Sequence, residues 1–168
     1  LYMPDKAKDK VVIVTGATAG IGKAAAEMFK ARGAKVVCFA RRKSDEFDSI
    51  QTDVTDREAV KRAVDEVVRK YGRIDVLVNN AGMGISGAVE NTDEAAARKI
   101  FDLNFFGVLN VTQAVLPVMR AQGGGTIVNV SSVAAELAIP FQAFYSATKS
   151  AVSSLSAALR NEVAPYGI

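Results

Sequence analysis

Tyr145 and Lys149 stand four positions apart in the stretch Y-S-A-T-K. On a helix this spacing places both side chains on one face, with Cβ atoms about 6 Å apart. A free tyrosine titrates near ~10, too high to exchange protons well at neutral pH. Lowering that value by about three units takes roughly 4 kcal/mol of differential stabilisation of the phenolate. A lysine ammonium in a partly dry cleft supplies much of this. Ser131 and Ser132 close an apolar run just upstream and offer a hydroxyl to a substrate oxygen. Such an assembly suits hydride exchange between a carbonyl carbon and a nicotinamide, with the tyrosine handling the proton.

A second cluster is suited to holding a dinucleotide. Residues 15–22 read T-G-A-T-A-G-I-G, after an apolar run at 11–14 and before a helical pattern at 23–30. Strand, glycine turn and helix together offer free backbone N–H groups to a pyrophosphate. Glycines at 16, 20 and 22 allow a tight turn and close approach of a ligand. The spacing is G-x-x-x-G-x-G rather than G-x-G-x-x-G.

These clusters need elements to carry them. Apolar runs at 11–15, 34–40, 49–54, 74–78 and 126–130 read as strands. Helical patterns fall at 23–32, from a capping box at 55–58 through 71, from 91–94 to 122 with a break near 103–105, and at 144–163. Pro117 suggests a kink within the third of these, and Val152, Leu155, Leu159 and Val163 form one face of the last. Strands alternating with helices predict a doubly wound α/β fold, with five parallel strands in the order 3-2-1-4-5. In such sheets ligands bind beyond the carboxyl ends of the strands. The glycine turn, residues 41–43, Asp53, residues 79–82 and Ser131-Ser132 all fall at those ends.

Composition sets the outer bounds. The chain has 168 residues, 49% hydrophobic and 23% charged, with a net charge of +3. That describes an ordinary globular chain with one domain over 11–168 and a short tail at 1–10. Met3, after Leu1 and Tyr2, is a candidate start. The scattered basic residues argue against nucleic acid as a partner, and no apolar run in the sequence suggests a membrane span. Histidine is absent, so Ser-His-Asp and Cys-His nucleophile systems are excluded within this chain. With one cysteine, Cys38, no Cys/His zinc site or internal disulfide is available; no metal is expected, and a reducing, cytoplasmic setting fits.

The motifs together resemble the short-chain dehydrogenase/reductase family, in its single-domain branch. The resemblance rests on T-G-A-T-A-G-I-G (15–22), D-V-T-D (53–56), N-N-A-G (79–82), Asn104 in L-N-F-F-G, I-V-N-V-S-S (127–132) and Y-S-A-T-K (145–149), and covers residues 10–168. It implies a Rossmann-type sheet and an oxidoreductase for a ketone or secondary alcohol. Tyr145 would be the acid/base. Lys149 would lower its pKa and bind the nicotinamide ribose. Ser132, thirteen positions before the tyrosine, would polarise the carbonyl. Asn104 would hold a water linking Lys149 to solvent. Gly16, Thr18, Gly20, Ile21 and Gly22 would form the pyrophosphate turn. Asp53 and Val54 would contact adenine, and Asn80, Ala81 and Gly82 would support the cofactor, with Asn80 mostly structural. Asn129 is expected to be a strand residue rather than a ligand. Helices 93–122 and 144–163 match those that form subunit contacts, which implies a homodimer or homotetramer.

Two departures from the family pattern matter. Relatives preferring NAD commonly carry an acidic residue at the end of the second strand, where this chain has Ala40 followed by Arg41 and Arg42. An arginine there pairs with a 2′-phosphate, so NADP is expected, with NAD not excluded. Against this, Ala19 stands where many NADP-dependent relatives have a basic residue. The second departure is at Y-G-I (166–168), where relatives enter a sixth strand; later strands are expected to be absent, the chain being either part of a longer protein or a truncated form. A catalytically inactive nucleotide-binding or assembly module is the alternative, and a sugar-nucleotide epimerase is disfavoured by the glycine spacing. Met83, Ile85, Val133, Phe141 and Phe144 are candidates for an apolar substrate pocket or, equally, for core or interface positions. The substrate is left open among a 3-oxoacyl thioester, a steroid-like ketone and a small aliphatic ketone.

Overall fold

The three central strands, at 11–15, 35–40 and 76–79, are nearly continuous apolar runs because both faces of the sheet are covered there. The computed structural model describes residues 4–168, so Met3 lies outside the described residues. In β1 (Val11–Thr15) and β2 (Lys35–Ala40), side chains alternate between two cores. Val11, Ile13, Val37 and Phe39 pack with Val60, Val64 and Val67 of α2 (Arg57–Tyr71) and with Val111, Val115 and Met119 of α4 (Gly107–Ala121). Val12, Val14, Val36 and Cys38 pack with Ala26 and Phe29 of α1 (Gly20–Ala31). Each fully buried valine or phenylalanine contributes about 1.5–3 kcal/mol. Burial also pushes the Cys38 thiol up to about 12, which leaves it an inert core residue.

With β3 (Asp48–Gln51), β4 (Val76–Asn79) and β5 (Thr126–Asn129) the sheet has five parallel strands in the order β3-β2-β1-β4-β5, as the alternation predicts. β1 lies at the centre, with Val14 opposite both Cys38 and Val78. β5 forms one edge, where Val128 is 43% exposed.

Several boundaries differ from expectation; the fourth strand begins at Val76 rather than residue 74, and three further differences have a visible cause. The third strand ends at Gln51 rather than Val54. Thr52 turns the chain there, its N–H bonding Ala40 O and its hydroxyl bonding Ile50 O. The capping box at Thr55 does not form. Thr55 donates both its N–H and its hydroxyl to Asp53 Oδ1, so Asp56 caps α2 by accepting from Ala59 N. The break expected near 103–105 is a π-helical turn at Asp102–Phe106, which joins α3 (Glu94–Phe101) to α4 without interrupting the helix. The joined helix, Glu94–Ala121, has the length and hydropathy to cross a membrane, although no such stretch stands out in the sequence. Here Ile100, Val111, Val115 and Met119 are buried within the fold. On α5 (Ala143–Val163), Val152 and Val163 are buried while Leu155 and Leu159 stay partly exposed.

Candidate active site

The turn after β1 leaves the start of α1 without a partner. Asp56 and Asp93 cap α2 and α3 with side-chain oxygens, whereas Ala19 caps α1 with none, and no acid stands in its first turn. Its first N–H groups therefore face outward, an arrangement that attracts an anion. Two of the glycines make room for the loop after β4. A Cβ at Gly16 would lie 2.9 Å from Ala81 Cα, and one at Gly22 would collide with Asn80 Nδ2 and Gly16 O. Gly20 has open space around it, but its φ of +58° favours glycine. Thr15 Oγ1 accepts the N–H groups of Asn80 (3.0 Å) and Ala81 (2.9 Å), and Asn80 Nδ2 donates back to Thr15 O and Gly16 O. Asn80 is thus a tie between two loops. Nothing in the sequence pattern signals Thr15, the last residue of an apolar run, whose hydroxyl proves to be the other half of that tie.

Gly16, Thr18, Ile21, Arg41, Arg42, Asp53, Val54, Asn80, Ala81 and Gly82 line one cavity of about 380 Å³, joined by Thr52 and Leu103, which the sequence did not single out. Gly20 and Gly22 shape the turn without lining the cavity. Ile21 is 71% exposed at its lip. The Asp53 carboxyl is held below its ordinary range, first by the Thr55 N–H and then, against the opposing effect of burial, by the Thr55 hydroxyl and the charge of Arg41.

Tyr145 and Lys149 lie one turn apart on α5, beside the carboxyl end of β5. Lys149 Nζ lies 5.9 Å from the Tyr145 ring centroid and donates to Val130 O at 2.8 Å. Lys149 is buried, and burial lowers its pKa. Among the described residues no carboxylate pairs with it. The π-helical turn aims Asn104 at the same spot. Its Oδ1 accepts from Met83 N, and its Nδ2 donates to Met83 O and to Thr148 Oγ1 (3.1 Å). Gly82 is the meeting point: a Cβ there would sit 3.1 Å from Asn104 Oδ1 and 3.7 Å from Lys149 Nζ. Thr148 was also not singled out; a threonine beside a lysine carries no signal until the helix turns it toward Asn104.

The two serines have separate tasks. Ser131 Oγ donates to Lys149 O (3.1 Å) and pairs with Ser153 Oγ (2.7 Å), which ties the end of β5 to α5. Ser132 Oγ accepts from Ala134 N (3.1 Å), and its hydroxyl proton has no acceptor among the described residues. Ser132 is therefore the serine with a donor to spare. Asn129 bonds Asn79 and Ser156 within the fold. The apolar pocket is not assembled as expected: Val133 and Phe141 are 66% and 67% exposed. Met83 lines an adjoining cavity of about 590 Å³ with Lys99 and Phe106, which shares Arg41, Asp53, Gly82 and Leu103 with the first.

The family model described as short chain dehydrogenase matches residues 10–168. Over 162 residues the chain is 42% identical to 3-ketodihydrosphingosine reductase of Bacteroides thetaiotaomicron, covering 95% of this chain and 60% of that protein, so it spans less than two thirds of that relative's length. A short-chain dehydrogenase from Streptomyces avermitilis superposes with a TM-score of 0.90 at 43% identity, over 96% of this chain and 63% of that one. ElxO with NADP bound superposes with a TM-score of 0.92 at 32% identity, over 95% and 70%.

Proposed function

The chain belongs to the short-chain dehydrogenase/reductase family, and from that premise we propose that it carries the cofactor site and proton-handling residues of an NADP(H)-dependent oxidoreductase for ketones or secondary alcohols. One observation carries this reading. A helix start without a cap and a buried lysine without a carboxylate both lie at the carboxyl ends of the strands, the lysine with Tyr145 beside it and Ser132 with a free donor following β5.

The residues fit a dinucleotide. The first turn of α1 with Gly16, Gly20 and Gly22 takes the pyrophosphate, with Thr18 and Ile21 at the rim. Asp53 and Val54 flank the adenine, Ala81 and Gly82 form the floor, and Lys149 takes the ribose. Arg41, with Arg42 beside it, pairs with the 2′-phosphate. When bound, the nicotinamide supplies or accepts the hydride.

The chain's own groups handle the proton. In the reductive direction Tyr145 donates its phenolic proton to the substrate oxygen, while Ser132 donates a hydrogen bond to the same atom. A phenolate on Tyr145 gives the Lys149 ammonium the anion it otherwise lacks, which opposes the downward pull of burial on its pKa. Asn104, which like Lys149 Nζ lies close to Gly82, holds the water through which the proton is replaced.

The name of the Bacteroides relative favours a ketone on a long aliphatic chain over a small one. Subunit pairing through the outer faces of α4 and α5, to a homodimer or homotetramer, and a cytoplasmic location belong to the same proposal.

The test is turnover of a long-chain 3-oxo compound with NADPH by the full-length protein. Tyr145→Phe removes the proton donor and keeps the ring, so turnover falls by about 10²–10⁴-fold while the NADPH Kd stays within about twofold. A Tyr145→Phe enzyme that reduces the ketone at the parent rate rejects the mechanism, and a parent protein that binds NADPH without reducing any ketone favours the inactive module.

A further inference from the structure

Arg41, Arg42 and Lys43 leave β2 as an exposed basic loop, and such loops are ordinarily solvated and mobile. Here the segment is tied on both sides. Arg41 O accepts from Gln51 Nε2 at 3.0 Å, and Ser44 N donates to Ser49 Oγ at 3.2 Å. A further anchor comes from α1. Lys23 Nζ meets Glu46 Oε1 at 2.7 Å, and Lys30 Nζ donates to Glu46 O at 2.6 Å while standing 5.4 Å from the Phe47 ring. Glu46 in turn holds the Lys23 ammonium above its ordinary pKa, chiefly through that hydrogen bond. Lys23 follows Gly22 directly, so the clasp joins the glycine turn to the loop that carries the cations.

We propose that Glu46 is a positioning residue for cofactor selection: its clasp on Lys23 and Lys30 holds Arg41 and Arg42 at the mouth of the cavity they share with Gly16, Thr18 and Asp53, ready for a 2′-phosphate. This rests on the NADP(H) reading above. A loop ordered beforehand does not lose its freedom at the moment of binding, and the affinity gain falls on the ligand that the loop touches. NADPH touches it through the 2′-phosphate. NADH has only hydroxyls there.

Glu46→Ala separates positioning from charge, because the two predict opposite signs. Deleting a carboxylate near a phosphate site strengthens anion binding by Coulomb's law. Losing the Lys23 half of the clasp weakens it, while the Lys30 bond to the residue-46 carbonyl remains. Both partners are partly exposed, so the effect is that of a surface ion pair.

The experiment measures Kd for NADPH and NADH by cofactor fluorescence, with Glu94→Ala, which breaks an exposed pair with Arg98 on α3, as the control. Glu46→Ala is expected to raise the NADPH Kd by about two- to fivefold, leaving NADH and the control unchanged. The swapped pair Lys23→Glu with Glu46→Lys is expected to restore the NADPH/NADH ratio. NADPH binding that is unchanged or tighter in Glu46→Ala, or an equal loss for both cofactors, overturns the positioning role. Arg41→Asp tests the underlying reading: an unchanged ratio there, or no NADPH preference in the parent, removes the NADP(H) assignment and the clasp with it. A lost preference in Arg41→Asp beside an unaffected Glu46→Ala removes the clasp alone.

Discussion

At the amino ends of β1 and β4, Asp75 is 7% exposed and surrounded by donors. Arg73 Nε and Nη2 reach its oxygens at 2.9 and 2.6 Å, Val11 N at 2.9 Å and Lys10 Nζ at 3.4 Å. Beyond the carboxyl ends, Lys149 is 6% exposed, and among the described residues its one hydrogen-bond acceptor is the Val130 carbonyl. Burial pushes the Asp75 pKa upward, but the Arg73 and Val11 hydrogen bonds and the two cationic charges outweigh it and leave the value lowered. At Lys149 burial acts without opposition. Two buried charges in one small domain thus differ in whether the protein itself answers them. The answered charge belongs to the scaffold. The unanswered one, beside an uncapped helix and an idle serine proton, marks where the molecule leaves room for something else.

Substitution at either end tests that contrast, and the largest effect is expected at the answered charge. Asp75→Asn strips the charge from its cations and is expected to cost about 3 kcal/mol, seen as a lower urea midpoint. The sign with pH follows from the lowered pKa. The carboxylate's contribution is present above the ordinary carboxylate range and is lost as pH falls through the depressed value of the folded state. The parent should therefore lose stability on acidification more steeply than the Asn variant; parallel pH profiles would place the charge outside the scaffold.

Thr15→Val keeps shape but leaves two backbone N–H groups without their acceptor. About 2 kcal/mol of stability should go, and the loops carrying Gly16 and Ala81 should part, so NADPH and NADH binding weaken together. A loss of stability with intact binding of both would show that the tie serves only the core.

Lys149→Met has the smallest effect on stability, and of opposite sign. Removing an uncompensated buried ammonium is expected to raise stability by about 1 kcal/mol at neutral pH, while turnover is lost. For a lysine with a lowered folded pKa, the parent's handicap fades as pH rises through that value toward the ordinary lysine range. The gap between variant and parent melting temperatures should therefore narrow from pH 7 to pH 10. A destabilised Met variant would mean that the Val130 carbonyl bond outweighs the burial of charge, and the contrast with Asp75 would fail.

Much of this was legible along the chain because it depends on neighbours in sequence. The apolar alternation located all five strands, and the glycine spacing located the turn before α1. The misreadings arose where a polar side chain had two available partners. Thr55 has the right type for a helix cap, but Asp53 engages it two residues earlier and leaves the cap to Asp56. A break near residue 103 is visible in the pattern; that it is a π-helical turn aiming Asn104 at Met83 and Thr148 is not, because it depends on α5 lying alongside. Choosing Ser132 over Ser131 needed the family's spacing, whereas in the folded molecule Ser131 is already engaged with Lys149 O and Ser153.

Periodicities, turn residues and the inventory of groups that can move a proton follow from residue type and short-range spacing, and the amino-acid order alone specifies them. Which of those groups are satisfied is settled only when distant segments meet. Asp75 stands between Ile74 and Val76 and Lys149 between Thr148 and Ser150, and neither setting says whether the charge will find a partner. Asp75 is answered by Arg73 two residues away and also by Lys10 and the Val11 N–H, more than sixty positions away. Among the described residues Lys149 Nζ hydrogen-bonds a carbonyl from the end of β5 and stands 5.9 Å from the Tyr145 ring, with no carboxylate paired to it. Hydrogen bonds and ion pairs saturate at contact distance, and folding over long sequence separations sets which donors and acceptors come into contact.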